Sequence, residues 1–546
     1  MEFNLAQLND AVAQANPERD AIVHGERRYS YADFAERTNR LASYFVAQGL
    51  GVRRERAELA GHESGQAHVA LYLHNCPEYL EGMVGAYKAR VAPFNVNYRY
   101  VEEELRYLLA DSAADAVVYH SAFAATLANI RGELPLLQVL IQVPDDSGAD
   151  LLDGAVWYDD ALAGVAAAAP ENPAHPDDLY ILYTGGTTGM PKGVLWRQAD
   201  VFPAALGGRQ LGTTNEWPDL DTVVETSRTG GVRFMPAPPF MHGAAHWMAF
   251  NAFTGGHSLV LPTDTTTFDP VDVWSTIERE KVNILLIVGD AFARPLLDEL
   301  ERNTYDLSSM LMIVSGGAAL SAPVKNALLA KLPAIAIMDG LGSSETGQQA
   351  SQVTGSGTDA STGTFTPGPG MCIVSDDLTR VIPSSSTELG WLAQEGRVPL
   401  GYLGDADKTA RTFPVIGDTR YSVPGDRANY TPEGLLELHG RDSVTINSGG
   451  EKIFAEEVEQ ALANHPAVYD AIVAGRPSER WGNEVVAIVQ LRQGTTATED
   501  ELLSTCEQHI ARYKLPKSFV FVDKVERSPS GKADYRWAKE QALKPQ

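Results

Sequence analysis

The sequence predicts an α/β protein: a large N-terminal domain of βα-alternating sheets carrying a small β-rich subdomain, followed by a smaller α+β C-terminal domain. Short, wholly apolar runs such as Val282–Val288, Met310–Val314 and Ile335–Met338 have the length and continuity of strands buried on both faces. They alternate with segments of helical period, an order that sets parallel strands between helices. Several runs end in turns rich in glycine or serine, and ligands of open α/β sheets bind beyond the carboxyl ends of the strands.

In chain order, Ser30-Tyr-Ala-Asp33 is a capping box for a helix through Ala47. Strand-like His68–His74, a helix from about Glu78 and a strand near Arg90–Val96 follow, whereas Arg53–Gln66 is polar and without apolar period, as in a surface loop. Leu179–Tyr183 and Gly193–Arg197 read as strands around a glycine-threonine loop. Beyond it come a strand at Leu259–Pro262 and a helix near Val271–Glu280. From about 350 to 438 short extended runs alternate with Gly, Pro, Ser and Asp, the texture of a β-rich subdomain. Ala455–Asn464 is helical with Val458, Ala461 and Leu462 on one face. Thr498–Glu501 caps a helix whose inner face carries Leu503, Cys506 and Ile510. The domain boundary falls near Gly440–Ser443, dividing the chain into 1–439 and 446–546 with 440–445 between them.

The chain has 546 residues, enough for roughly two to four domains. Its 71 acidic and 44 basic residues give a net charge of −27, which repels nucleic acid and anionic membrane as partners. Cys76, Cys372 and Cys506 are too few and scattered for a disulfide framework or zinc site, and suit buried thiols of a reducing compartment. The N-terminal stretch has no basic or apolar leader, and no run reaches the length of a transmembrane segment. The expectation is a cytoplasmic protein.

The stretch Tyr183-Thr-Gly-Gly-Thr-Thr-Gly-Met-Pro-Lys-Gly193 carries the chemistry. Glycines at 185, 186 and 189 let backbone amides close on a polyphosphate, Thr184, Thr187 and Thr188 add hydroxyls, and Lys192 adds charge. A Walker P-loop needs Ser or Thr after its lysine, and Gly193 stands there instead. On its own the loop also reads, with less weight, as a plain glycine turn.

With that loop, Pro238-Pro-Phe-Met-His-Gly243, Gly342-Ser-Ser-Glu-Thr346, Pro424-Gly-Asp426, Gly440-Arg441, Ile446-Asn-Ser-Gly-Gly-Glu-Lys452 and Pro529-Ser-Gly-Lys532 stand in an order that resembles the adenylate-forming, AMP-binding superfamily of acyl-CoA synthetases, luciferases and peptide-synthetase adenylation domains. Gly289–Pro295, Tyr305–Ser309 and Asp534–Glu540 look most like the fatty-acid-CoA ligases, and nearest the branch that activates steroid side-chain carboxylates. The resemblance implies ATP-dependent activation of a carboxylic acid through acyl-AMP to an acyl-CoA, with CoA as second substrate and Mg²⁺ as cofactor. It also implies a C-terminal domain that swings about the 440–445 hinge, and a homodimer.

Carried onto this sequence, the resemblance makes Glu345 and Thr184 the magnesium ligands and Lys532 the lysine that bridges carboxylate and α-phosphate. Asp426 matches the ribose clamp, Arg441 a donor to ribose or phosphate, and Gly317, Ala318, Asp339, Gly340, Leu341 and Ser344 the AMP site. His242 matches a carboxylate-orienting position at the mouth of the acyl pocket, with Gly316, Gly243, Ala244 and Ala245 as its small-residue lining. Ser448, Gly449 and Gly450 match the CoA channel. Taken singly, Lys532 also reads as a solvated lysine, His242 as a packed bystander and Gly243–Ala245 as close helix packing. Leu341 replaces a common adenine-stacking aromatic, Ser443 a charged hinge residue, and Asn447 a basic one. Carrier-protein loading, activation of an aryl or medium-chain acid, and a catalytically inactive nucleotide-binding protein remain open alternatives.

Overall fold

The computed structural model describes residues 2–167, 172–184, 190–210, 212–448, 451–478, 481–528 and 531–544, with the main chain alone at Ser443. Gly185, Gly186, Thr187, Thr188, Gly189, Gly449, Gly450 and the Ser443 side chain lie outside the described residues. Local signals fix the helices. Ser30 accepts from the Asp33 amide while the Asp33 carboxylate accepts from the Ser30 amide, opening Tyr31–Ala47, and Thr498 and Glu501 repeat the exchange for Glu499–Glu507.

Apolar strand runs assemble into two parallel arrays. In one, Ala92–Asn95, His68–Tyr72, Ala116–His120, Val139–Val143 and Val156–Trp157 lie side by side, all parallel. In the other, Ser258–Leu261, Arg233–Pro236, Ile284–Ile287, Met312–Gly316 and Ala336–Ser343 are parallel neighbours. Gly347–Thr354 then reverses direction, and hydrogen bonding continues through Thr364–Pro367, Leu436–Arg441 and Asp426–Tyr430. The β-rich stretch thus extends the edge of the second array instead of forming a sheet apart. Gly401–Tyr402 leaves it to pair with Lys192–Arg197, itself antiparallel to Leu179–Thr184.

In the C-terminal part, Val468–Ser478 and Gly482–Leu491 form a long antiparallel pair with Ser518–Val522 parallel to the second. Strand alternation sends Val473, Val485 and Ala487 towards helices Ala455–Leu462 and Glu499–Glu507, and Ile472, Val486 and Ile488 towards Tyr535–Ala542. The inner face of Glu499–Glu507 is Leu502 with Cys506, an i, i+4 pair. Leu503 is only partly buried, and Ile510 lies beyond the helix end. All three cysteines are free and buried, and among the described residues no helix is long and apolar enough to cross a membrane.

Among the described residues the two parts meet at several points. Gly531 packs so closely on the strand-to-helix turn that a β-carbon there would lie 3.0 Å from the Val288 carbonyl oxygen and 3.3 Å from Phe292 Cδ2. Tyr469 donates to Asp298 Oδ2 at 3.2 Å, and Glu456 Oε2 accepts from the Arg441 amide at 3.2 Å.

Leu285 sits in the central strand of the second array, fully buried. Leu285→Ala is expected to cost about 2–5 kcal/mol through lost burial and the cavity left behind. The check is a lower urea midpoint for the transition that reports the N-terminal part; an unshifted midpoint contradicts it.

Candidate functional site: a cleft and the groove that continues it

Strands Leu179–Thr184 and Lys192–Arg197 pair down to Thr184 opposite Lys192, so the loop between them starts from a closed antiparallel end. Two buried tethers hold that end. Asn95 Nδ2 donates to the Tyr183 carbonyl at 2.9 Å and to the Met241 carbonyl at 2.7 Å, while its Oδ1 accepts from the Tyr183 amide at 2.8 Å. Trp196 Nε1 donates to the Ser344 carbonyl at 2.8 Å. The strand hairpin is thereby tied to the His242 segment on one side and to the Gly342–Thr346 turn on the other. Sequence reasoning missed both tethers, because their partners lie 88, 146 and 148 residues away in the chain. Lys192 does not face the cleft: its ammonium pairs with Asp111 Oδ1 at 3.0 Å.

A cavity of about 1830 Å³ is lined by Thr184, His242, Gly316, Gly317, Gly340, Leu341, Ser344 and Lys532. Gly317 adopts φ +89°, and Lys532 Cε passes 3.8 Å from where its β-carbon would be, so the lysine stem crosses a spot that a side chain would crowd. Asp339 does not join this wall. Strand alternation turns it to the other face of the sheet, where it pairs with buried Lys325 at 2.9 Å. Ala318 packs instead against the core around Phe292. Ala245 also fails to line the pocket: its helix position points it into the core, fully buried. Ser448 pairs with Glu451 and Gly482 in the C-terminal sheet, away from the cavity.

Charged groups gather near Lys532, although Glu345, Asp426 and Arg441 are not themselves among the lining residues. Glu345 Oε1 accepts from the Tyr402 hydroxyl at 2.9 Å, and the Ser422 hydroxyl donates to the Glu345 carbonyl at 2.6 Å. Arg441 Nε lies 3.3 Å from Asp426 Oδ1 on paired strands. The Lys532 ammonium keeps solvent access inside the cavity but is walled by protein. Its pKa is lowered by that desolvation and by Arg441, against the opposing carboxylates of Glu345 and Asp426. Four charges from both parts of the chain therefore share one field. Tyr402, which no motif singled out, orients the carboxylate of Glu345.

His242 caps the helix Gly243–Thr254 from its N-terminal side. Burial, then the charges of Lys532 and His246, pull its pKa down to about 3, so its ring is neutral at pH 7. Its Nε2 is buried without a partner among the described residues. From there a groove follows the helix: Gly243, Ala244, Trp247, Met248, Asn251 and Gly255 line it from above. Below lie alternate residues of the parallel strands, Phe234, Leu286, Val314 and Met338 among them. Twelve residues of helix span about 18 Å.

Fold and cleft together define a two-domain, nucleotide-dependent ligase. The AMP-binding enzyme family matches residues 9–397 and the AMP-binding enzyme C-terminal domain matches residues 457–532; the chain belongs to the AMP-binding enzyme family. Medium-chain acyl-CoA ligase Mig of Mycobacterium avium is 54% identical over 542 residues, 99% of this chain and 98% of that protein. The 3-oxocholest-4-en-26-oate–CoA ligase of Rhodococcus rhodochrous is 40% identical over 556 residues, 100% of this chain and 97% of that protein. The crystal structure of the anthranilate CoA ligase AuaEII in complex with anthranoyl-AMP shares the fold, with a TM-score of 0.84 over 99% of this chain and 98% of that one at 21% identity. The chain is an acid–thiol ligase, an AMP-forming acyl-CoA synthetase.

Two outcomes follow from this geometry. Asn95→Leu leaves three buried backbone groups unpaired, at about 1–3 kcal/mol each before relaxation. A clear drop in melting temperature is expected, together with at least about tenfold slower acid-dependent pyrophosphate release. For His242, the unfolded chain takes up the proton near pH 6.5 and the folded chain only near pH 3. The stability tied to a neutral ring is therefore whole above pH 6.5 and lost as pH falls towards 3, by up to about 1.4 kcal/mol per unit. Urea midpoints of His242→Gln should change less across that window than those of the parent; parallel curves would contradict a buried neutral ring.

Proposed function

We propose that the chain activates an acid with a long apolar body, a medium- or long-chain fatty acid or a steroid side-chain acid, seated with its carboxylate at His242 and its body along the groove. The observation that carries this reading is the single cavity joining Lys532, His242 and the groove beside Gly243–Thr254. The relatives' named substrates, medium-chain acyl groups and a cholestenoate, suit such a shape.

The first step brings a carboxylate onto the α-phosphate of ATP, with acyl-AMP and pyrophosphate as products. At an effective dielectric near 20, two unit charges about 4 Å apart repel by roughly 4 kcal/mol, about a thousandfold in rate. Lys532, held over Gly317, supplies the positive charge between the two anions. Neutral His242 offers a ring N–H to one carboxylate oxygen without competing for the proton of an acid already ionised. Asp426 accepts from ribose hydroxyls, and Arg441 beside it stabilises that carboxylate.

Mg²⁺ fits these residues. Glu345 offers a hard carboxylate fixed by Tyr402, and Thr184 a hydroxyl on the cavity wall. Among the described residues no group of three acidic, histidine or cysteine side chains could hold a metal, so the remaining ligands would be phosphate and water oxygens, as magnesium prefers. When bound, the ion screens phosphate charge.

In the second step the CoA thiol attacks the acyl carbonyl and AMP leaves. Lys532 must withdraw for this, and the 440–445 segment is the hinge: Gly440 takes φ +108°, a conformation open to glycine, with Glu456 pressed against it. Gly449, Gly450 and Ser448 then line the CoA channel. The enzyme works in the cytoplasm, as a homodimer.

The test has two parts. A panel of fatty, aromatic and steroidal acids should give acid-dependent pyrophosphate release only with long apolar members, and acyl-CoA by mass with free CoA. Lys532→Ala should lose acyl-AMP formation from ATP by at least about a hundredfold, yet still convert preformed acyl-AMP to thioester; equal loss of both steps refutes the role given to Lys532.

A further inference from the structure

The groove does not end in a purely apolar wall. Where the helix Gly243–Thr254 stops, Gly255, His257, Thr226 and Thr229 line its far end. His257 lies against Phe234, ring centroids 5.3 Å apart and planes 30° from parallel. Its Nδ1 faces the amides of Gly231 at 3.2 Å and Val232 at 3.3 Å. Both amides are donors, so Nδ1 is an acceptor and the ring proton sits on Nε2. Burial, then the charge of Arg19, hold the pKa of His257 down to about 4, so that tautomer is the neutral form at working pH.

Nε2 has no hydrogen-bond partner among the described residues. It lies over Gly255, where an added β-carbon would come within 2.6 Å of it. Three other polar groups of the lining have spent their protons. Thr226 and Thr229 hydroxyls donate to the Thr222 and Thr226 carbonyls at 2.8 Å each, and Asn251 Nδ2 donates to the carbonyls of Ala205 and Trp247 at 2.9 and 2.7 Å. A fixed N–H facing a groove built for hydrocarbon costs desolvation unless something accepts from it.

Resting on the reading above, we infer that the far end of the groove recognises an oxygen acceptor at the tail of the acyl group, with His257 Nε2–H as donor and Gly255, which puts no β-carbon against the ring, as the residue that lets the imidazole lie there. The favoured substrate class is an apolar acid about as long as the helix that carries a ketone or comparable acceptor at the end remote from its carboxylate. An unfunctionalised tail fills the same groove but leaves the donor unpaired, and a site with an unpaired donor discriminates against it.

The experiment measures kcat/KM for pairs of acids: dodecanoate against its penultimate-carbon ketone, and a cholestenoate with and without its ring ketone. The parent enzyme should favour the ketone of at least one pair about tenfold, the worth of one hydrogen bond to a buried group. His257→Asn keeps an acceptor for the Gly231 and Val232 amides while withdrawing the outer nitrogen, and Gly255→Ala drives a β-carbon to 2.6 Å from the imidazole and so displaces the donor; both should bring the ratio close to one. A parent ratio near one, or a ratio that survives His257→Asn in folded protein, overturns the inference while leaving acyl-CoA synthesis standing. No pyrophosphate release from any acid in either pair overturns both.

Discussion

The site depends on one carboxamide. Asn95 ends a strand of the first parallel array, yet its side chain binds both the strand that feeds the glycine-threonine loop and the carbonyl beside His242. Buried and engaged at both ends of its amide, it holds the start of the glycine-threonine loop and the His242 segment at one separation. On the proposed reading acid and nucleotide would meet between these segments, so that separation would set the reaction geometry. Trp196 adds a second strut from the same hairpin to the turn that presents Glu345.

Around this frame the charges are arranged as a compensated set. Asp426 is matched by Arg441 and Asp339 by Lys325, while Glu345 is held by a neutral phenol. Among the described residues Lys532 has no comparably close carboxylate, and it comes from the other part of the chain. Its ammonium, disfavoured by the protein walls of the cavity and by Arg441, would gain most from the anionic phosphate and carboxylate of the proposed first step. A cation poorly satisfied before substrate binds is well placed to act when charge builds up.

Much of this was legible in the sequence because it is local. Capping boxes at Ser30 and Thr498, apolar strand runs and the motif around Glu345 each lie within a few residues, where periodicity and spacing speak. Misplaced residues share one cause: a motif names positions, not faces. Asp339 and Ala245 fall inside the matched segments, but a strand sends neighbours to opposite sides and a helix turns each residue by about 100°. Lys192 was read as a phosphate contact from its place in the loop, whereas Asp111, 81 residues earlier, claims it. Asn95, Trp196, Tyr402 and His257 could not be found that way, since each acts through partners that only the folded chain brings close.

The groove beside Gly243–Thr254 leaves one flank of that helix without protein packed against it. Its opposite flank, with Ala245, Ala249 and Phe253, is sealed in the core. An acyl chain seated there, as proposed, would complete the interior of the protein for as long as it stayed. Occupancy and conformational stability are then coupled: each methylene that fits adds to cohesion, and product release returns the enzyme to a looser ground state. On that reading lipid would be both cargo and temporary filling, and the length of hydrocarbon the enzyme accepts would be tied to how firmly its own scaffold is held.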